Sequence, residues 1–267
     1  MGNTESLKII PEYEKLQSGI RRAGDELLKK YWRNAVPLEV TQKESIYAIV
    51  TEADKVSEAI LLDLLQGEVL SEESPRKINS SDFWVVDPLD GTSFFARGLE
   101  GWSISLAHVR NGEVELGLTF APVENELFFA KTGEGAFLNG KRIGVSTTEN
   151  LKDSLVNISQ AAIRTDDKGS IRRLIADTRA LWSTGSTARA LANLAAGRID
   201  VAIHQNQAFW DIAAGIVLVK EAGGKLTNWQ ENQEFDMTGA QVSQNHILAT
   251  NGHLHNSVVK YLNPTLI

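Results

Sequence analysis

The sequence predicts an α+β protein built from two packed halves, residues 1–146 and 147–267. Three observations predict it. Apolar residues recur at helical spacing near the start, short strand-like runs separated by turn signals fill the centre, and strand and helix alternate from about residue 147 onward. No linker-like composition marks the change, so the halves are expected to pack on each other.

The elements follow in order. Between Leu7 and Trp32, the residues Ile10, Leu16, Ile20, Ala23, Leu27 and Leu28 form one stripe among charges, which reads as a long amphipathic helix with Pro11 near its start. Asp54 to Leu65 repeats the pattern with Val56, Ile60, Leu61, Leu64 and Leu65, and Tyr47-Ala48-Ile49-Val50 before it is strand-like. Phe83-Trp84-Val85-Val86 is a short apolar strand expected to stop at Asp87. Trp102 to Val109, Glu115 to Phe120, Glu126 to Ala130 and Gly135 to Phe137 then make an antiparallel meander, with Asn111-Gly112 and Asn139-Gly140 as its turns. Beyond it come a strand Leu155 to Ile158, helices Ile171 to Thr178 and Thr187 to Ala196, a strand Asp200 to Ile203, and a buried helix Ile212 to Ala222 ended by Gly223-Gly224.

Composition excludes several kinds of chemistry. The 267 residues, 42% of them hydrophobic, suffice for a sizeable core. With no cysteine there is no disulfide, no thiolate nucleophile and no cysteine zinc site. No apolar run reaches the roughly 18 residues that span a bilayer, and the polar start, Met1 to Leu7, lacks a signal core. A cytoplasmic protein is expected. The net charge of −7 argues against nucleic-acid or anionic-membrane partners, and it requires a cation between this chain and any phosphorylated ligand.

Asp87-Pro88-Leu89-Asp90-Gly91-Thr92 is the segment densest in chemistry. An apolar strand ending in two carboxylates three residues apart sets both at the lip of a sheet, with Pro88 stiffening the turn between them. Gly91 permits close backbone approach, and Thr92 can open a helix whose free N–H groups face an anion. Carboxylate and carbonyl oxygens with no soft ligand nearby suit magnesium or manganese. Read alone, the segment serves equally well as an Asp-Gly turn capping a helix. The pair inside Ser71-Glu72-Glu73-Ser74 reads alone as a solvated surface feature, and Asp211 as an N-cap.

Together these segments resemble the inositol monophosphatase family. Trp84 to Thr92 is similar to its first signature, and Trp210-Asp211-Ile212-Ala213-Ala214-Gly215, running on to Glu221-Ala222-Gly223-Gly224, to its second. Leu70-Ser71-Glu72-Glu73-Ser74 resembles its acidic loop, Val50-Thr51-Glu52-Ala53-Asp54 its threonine-to-aspartate motif, Gly133 to Gly140 its hairpin, and Lys43 a family lysine. The resemblance implies the layered αβαβα sandwich of the sugar phosphatases, a homodimer, lithium sensitivity and two to three magnesium ions per site. Glu72, Asp87 and the Leu89 carbonyl are then expected at one ion, and Asp87, Asp90 and Asp211 at a second. Asp54 and Thr92 are expected to orient and deprotonate the attacking water, with Glu72 contributing through a third, weaker ion. Gly91, Thr92 and Ser93 would meet the phosphate beside Asp90 and Asp211. Gly185, Ser186 and Thr187 resemble the small-residue loop that touches the substrate body.

Two positions depart from the family. His204 stands where inositol-selective members carry a glutamate, and Trp182 where an arginine is common. His204 is expected to meet a hydroxylated or second anionic group on the substrate, or else merely to end a strand; Trp182 is expected in the core, or else as a surface on which a ring stacks. The resemblance makes inositol phosphate the default substrate, and the two departures open histidinol phosphate, NADP, 3′-phosphoadenosine 5′-phosphate and fructose 1,6-bisphosphate as alternatives. A non-catalytic binding protein on the same fold is the rival of another class. His108, His246, His253 and His255 show no metal-ligand spacing, and the last two are expected at the surface.

Overall fold

A computed structural model describes residues 13–33, 40–42, 49–229, 231, 235, 237 and 245–262. Lys43, Tyr47, Ala48 and the helical pattern expected ahead of Tyr13 lie outside the described residues. Helices α1 (Glu14–Lys30) and α2 (Glu52–Leu62) present their apolar stripes inward, burying Ile20, Ala23 and Leu27 of the first and Ala53 and Leu61 of the second. Strands β1 (Val40–Gln42) and β2 (Ile49–Thr51) pair as a small antiparallel ribbon.

The meander becomes a seven-stranded sheet. Its strands β3 (Glu68–Ser71), β4 (Phe83–Asp90), β5 (Ser103–Arg110), β6 (Glu113–Ala121), β7 (Glu126–Lys131), β8 (Gly135–Leu138) and β9 (Lys141–Ile143) lie in sequence order, with only β3 and β4 parallel. Asn111-Gly112 and Asn139-Gly140 both have positive φ at each residue, the backbone hand that tight hairpins require. A short helix α3 (Thr92–Phe95) follows β4.

The second half carries a five-stranded sheet of β10 (Leu155–Ile158), β11 (Ala180–Leu181), β12 (Val201–Gln207), β13 (Lys225–Asn228) and β14 (Asn245–Thr250), in the order β11-β10-β12-β14-β13. Its helices are α4 (Gln160–Arg164), α5 (Ser170–Ala176), α6 (Thr187–Ala195), α7 (Phe209–Glu221) and α8 (His255–Leu262). Helices α1 and α2 cover the outer face of the large sheet, α6 and α7 lie between the sheets, and α4, α5 and α8 cover the far face of the small one. That is the αβαβα sandwich expected.

Alternation along β4 assigns its layers: Val85 packs toward α6 and α7, Val86 toward α1 and α2. The contact of α7 with the sheet is close because Gly117 of β6 has no side chain. A Cβ there would meet the Ala214 carbonyl oxygen and Val217 at 2.7 Å. Gly117→Ala is therefore expected to lose about 1–3 kcal/mol, read as a lower denaturant midpoint with unchanged slope.

Three boundaries that position the site differ from the sequence reading. Strand β4 does not stop at Asp87 but continues to Asp90, with a register shift between those two residues. Asp87 pairs with Ser105 and Asp90 with Ser103, so β4 takes three steps where β5 takes two. Pro88 thus sits in a bulge rather than a turn, a place where its missing N–H breaks no ladder bond. Strand β12 likewise runs past Ile203 to Gln207, with its own shift between His204 and Gln207. Helix α7 begins at Phe209, so Asp211 is its third residue and not its cap.

Candidate active site

The bulge in β4 decides where its carboxylates point. On a regular strand, residues three apart face opposite sides. Here the extra residue returns Asp90 to the side of Asp87, while Leu89 joins Val86 in the outer layer. Both carboxylates then face the start of α7. One oxygen from each of Asp87, Asp90 and Asp211 lies within 4.8 Å of the others.

Each group is held by backbone or by a neighbouring element. Asp87, 1% exposed, accepts the Leu89 N–H through Oδ1 at 3.0 Å. Asp211 Oδ2 accepts the Ala208 N–H at 2.9 Å. Asp90 Oδ2 accepts the Ser186 hydroxyl and the Ala188 N–H, each at 2.7 Å, docking the β4 bulge on the start of α6. Ser186 in turn accepts the Arg189 N–H at 2.9 Å as the helix cap, and its hydroxyl lies 2.9 Å from that of Ser103.

Such crowding is electrostatically costly. Burial, and then the charges of Glu72, Asp90 and Asp211, push the Asp87 carboxyl well above the carboxylate range. Burial, followed by Asp90 and Glu72, does the same to Asp211. Asp90 rises to about 6 through burial, opposed by its hydrogen bonds from Ser186, Ala188 and Thr187. A cation held among them would offset all three charges. Fit to a hard divalent ion is further indicated by Asp87 Oδ2, which is buried without a hydrogen-bond partner beside an all-oxygen donor set.

Glu72 is close enough to act on Asp87 and Asp211, and its N–H donates to the Val86 carbonyl at 3.2 Å. The acidic loop it belongs to is tied to α2 through Glu58, whose Oε1 accepts the hydroxyls of Ser71 at 2.5 Å and Ser74 at 2.7 Å. Ser57 of α2 donates to the Pro88 carbonyl at 2.7 Å. Asp54, fully buried in the first turn of α2, lies 3.2 Å from the Thr92 hydroxyl, which also reaches the Leu89 carbonyl at 3.0 Å. Ser57, Glu58 and Ser103 escaped the sequence reading; serine or glutamate at helix spacing from Asp54 is too common to single out, and Ser103 stands near the site only through its pairing with Asp90.

The two small-residue segments also meet. A Cβ on Gly91 would lie 3.3 Å from the Gly185 carbonyl carbon, and one on Gly185 would strike the Phe94 ring at 2.3 Å. Ser93 is half-buried on α3 beside them. Ser186 and Thr187 are 1% and 7% exposed, so what they offer a ligand is limited to a narrow edge.

His204 departs most from expectation. It is buried, with Nδ1 2.9 Å from the Thr187 hydroxyl and Nε2 2.7 Å from Asn157 Oδ1. Burial pushes it down to about 4, so it is neutral near pH 7 and gains no charge for a phosphate. Both ring nitrogens face protein, which corrects the expected direct contact with substrate. Trp182 is 39% exposed, which overturns the core reading and leaves that of a surface, and His255, expected at the surface, is buried between the hydroxyls of Thr227 and Thr250.

An αβαβα frame that converges carboxylates from the β4 bulge and the first turn of α7 onto one point, with the Asp54–Thr92 hydrogen bond just beyond the bulge, defines a phosphatase of the sugar-phosphatase fold. The chain belongs to the inositol monophosphatase family, a model of which matches residues 12–265. It is 35% identical to the fructose-1,6-bisphosphatase/inositol-1-monophosphatase of Thermotoga maritima over 91% of this chain and 93% of that protein. It is 34% identical to the Nus factor SuhB of Salmonella typhimurium over 84% and 88%. The solved structure of the Thermotoga maritima IMPase superposes with a TM-score of 0.84 at 33% identity, covering 96% of this chain and 98% of that one. Among the described residues, no helix is long and apolar enough to cross a membrane.

Proposed function

We propose that this phosphatase hydrolyses small hydroxylated phosphomonoesters with magnesium as its cation, inositol phosphate being the default substrate. The observation that carries the reading is the convergence of Asp87, Asp90 and Asp211 beside the Asp54–Thr92 pair. Asp87, Asp90 and Asp211 would hold one ion, and Asp87, Glu72 and the Leu89 carbonyl another, with Glu72 also serving a third, weaker one. A divalent cation bound there supplies Lewis acidity, lowering the pKa of water and offsetting phosphoryl charge. Thr92 Oγ1 accepts a proton from the attacking water as its own passes to Asp54, a buried carboxylate suited to general-base work. Gly91, Thr92 and Ser93 give donors to phosphate oxygens, and the Gly185–Thr187 edge bounds the alcohol.

Lithium inhibition and a homodimer belong to the same reading. The SuhB relative's name, a Nus factor, suggests a second, non-catalytic reading on this fold. The Asp54–Thr92 pair favours chemistry, because a binding module needs no base for water. Phosphate release from inositol 1-phosphate, histidinol phosphate, 3′-phosphoadenosine 5′-phosphate, NADP and fructose 1,6-bisphosphate, with magnesium and with chelator, is the test. Magnesium-dependent release from at least one is expected. Silence on all five at millimolar magnesium would favour the non-catalytic reading.

A further inference from the structure

Helix α2 reaches the carboxylate cluster with three side chains, and only Asp54 among them belongs to a motif legible in the sequence. Asp54, Ser57 and Glu58 stand at positions i, i+3 and i+4 and so share one face of the helix. Each grips a different segment. Asp54 meets the Thr92 hydroxyl at the start of α3, Ser57 donates to the Pro88 carbonyl in the β4 bulge, and Glu58 accepts from Ser71 and Ser74 on the loop after β3.

The Glu58 contact brackets Glu72. The pairing of β3 with β4 ends at Ser71, opposite Val86, and the Glu72 N–H makes the last bond across it, to the Val86 carbonyl at 3.2 Å. Past that point the chain bends. There Glu58 Oε1 takes the hydroxyls of Ser71 at 2.5 Å and Ser74 at 2.7 Å, so the residues on either side of the Glu72-Glu73 pair are tied to one atom. A carboxylate oxygen has two lone pairs, which is what two hydroxyls require. Ser71 is buried, so its hydroxyl has no water to turn to if that acceptor is lost. The backbone of Glu72 is thus held by β4 on one side and by α2 on the other, and the helix that holds it also carries Asp54.

We propose that Glu58 is a positioning residue for the metal site. By holding Ser71 and Ser74 it sets where Glu72 meets Asp87, and with that the affinity for the magnesium ion those two share. It acts through the two serines and not on the ion or the substrate. A negative charge acting through space is the rival account of a carboxylate at this place, and the two make opposite predictions for a glutamine.

The inference rests on the phosphatase reading, in which Glu72 and Asp87 share an ion. Magnesium binding to the substrate-free protein is followed by titration calorimetry in wild type, Glu58→Ala, Glu58→Gln and the double variant Ser71→Ala/Ser74→Ala. Glu58→Ala is expected to weaken one magnesium site by about tenfold or more, the usual cost of losing a group behind a metal ligand, and to leave a second within about threefold. Glu58→Gln keeps the accepting oxygen without the charge and is expected to stay within about threefold of wild type at both sites. The double-serine variant keeps the charge without the clamp and is expected to match Glu58→Ala. The role of Glu58 is overturned if Glu58→Ala binds magnesium as wild type does, if both sites weaken equally, if Glu58→Gln is as weak as Glu58→Ala, or if the double-serine variant is unaffected. Each of those results leaves the phosphatase reading standing, whereas a wild type that binds no magnesium overturns both. Melting curves in chelator separate misfolding from a displaced ligand, and if Glu58→Ala does not fold, the double-serine variant, which removes two hydroxyls and nothing more, carries the test.

Discussion

Asp90→Asn is expected to lower phosphate release by about a thousandfold or more while leaving the fold in place. The magnitude is that of removing a charged group from a preorganised site that stabilises developing charge. The fold survives because an asparagine oxygen can still accept the Ser186 hydroxyl and the Ala188 N–H, the two bonds that tie the β4 bulge to α6. Stopped phosphate assays at saturating magnesium and a melting curve check the two halves of the result. Activity within tenfold of wild type would refute Asp90 as a ligand.

Asp87→Asn is expected to reverse the order of stability with and without metal. In chelator the variant should melt higher than wild type, because it removes one of several buried like charges and offers an N–H where Asp87 Oδ2 now has no partner. Saturating magnesium should raise wild type alone. Occupancy at a hundredfold excess over the dissociation constant is worth about 2.7 kcal/mol, which for a chain of this size is on the order of 5–10 °C in Tm. Differential scanning calorimetry in EDTA and in magnesium reads both effects. A variant that still gains the full magnesium shift would show that Asp87 does not hold the ion.

Much of the architecture was legible in the residues because periodicity reports burial. The stripe of Ile20, Ala23 and Leu27 and the turns at Asn111-Gly112 and Asn139-Gly140 were readable from local spacing. The bulges were not. A register shift is a property of two strands, and β4 alone gives no sign that Ser103 stands opposite Asp90. The docking of Asp90 on α6 joins residues 98 apart, which no local pattern encodes. His204 drew attention as a departure from the family, yet its environment depends on Asn157 and Thr187 arriving from other elements.

The bulge at Pro88-Leu89 also sets how this strand can change in length. Omitting one residue elsewhere in β4 would turn over every side chain on one side of the gap, trading Val85 for Val86 between two layers that are both packed. At the bulge the chain carries one residue of slack. Shortening there would leave Asp87 and Asp90 two steps apart on a plain pleat, still on one face, and neither apolar layer would have to be repacked. The spread and bend of the carboxylate pair can thus vary by a single codon's worth of chain, next to the chemistry and at little cost to the sandwich around it.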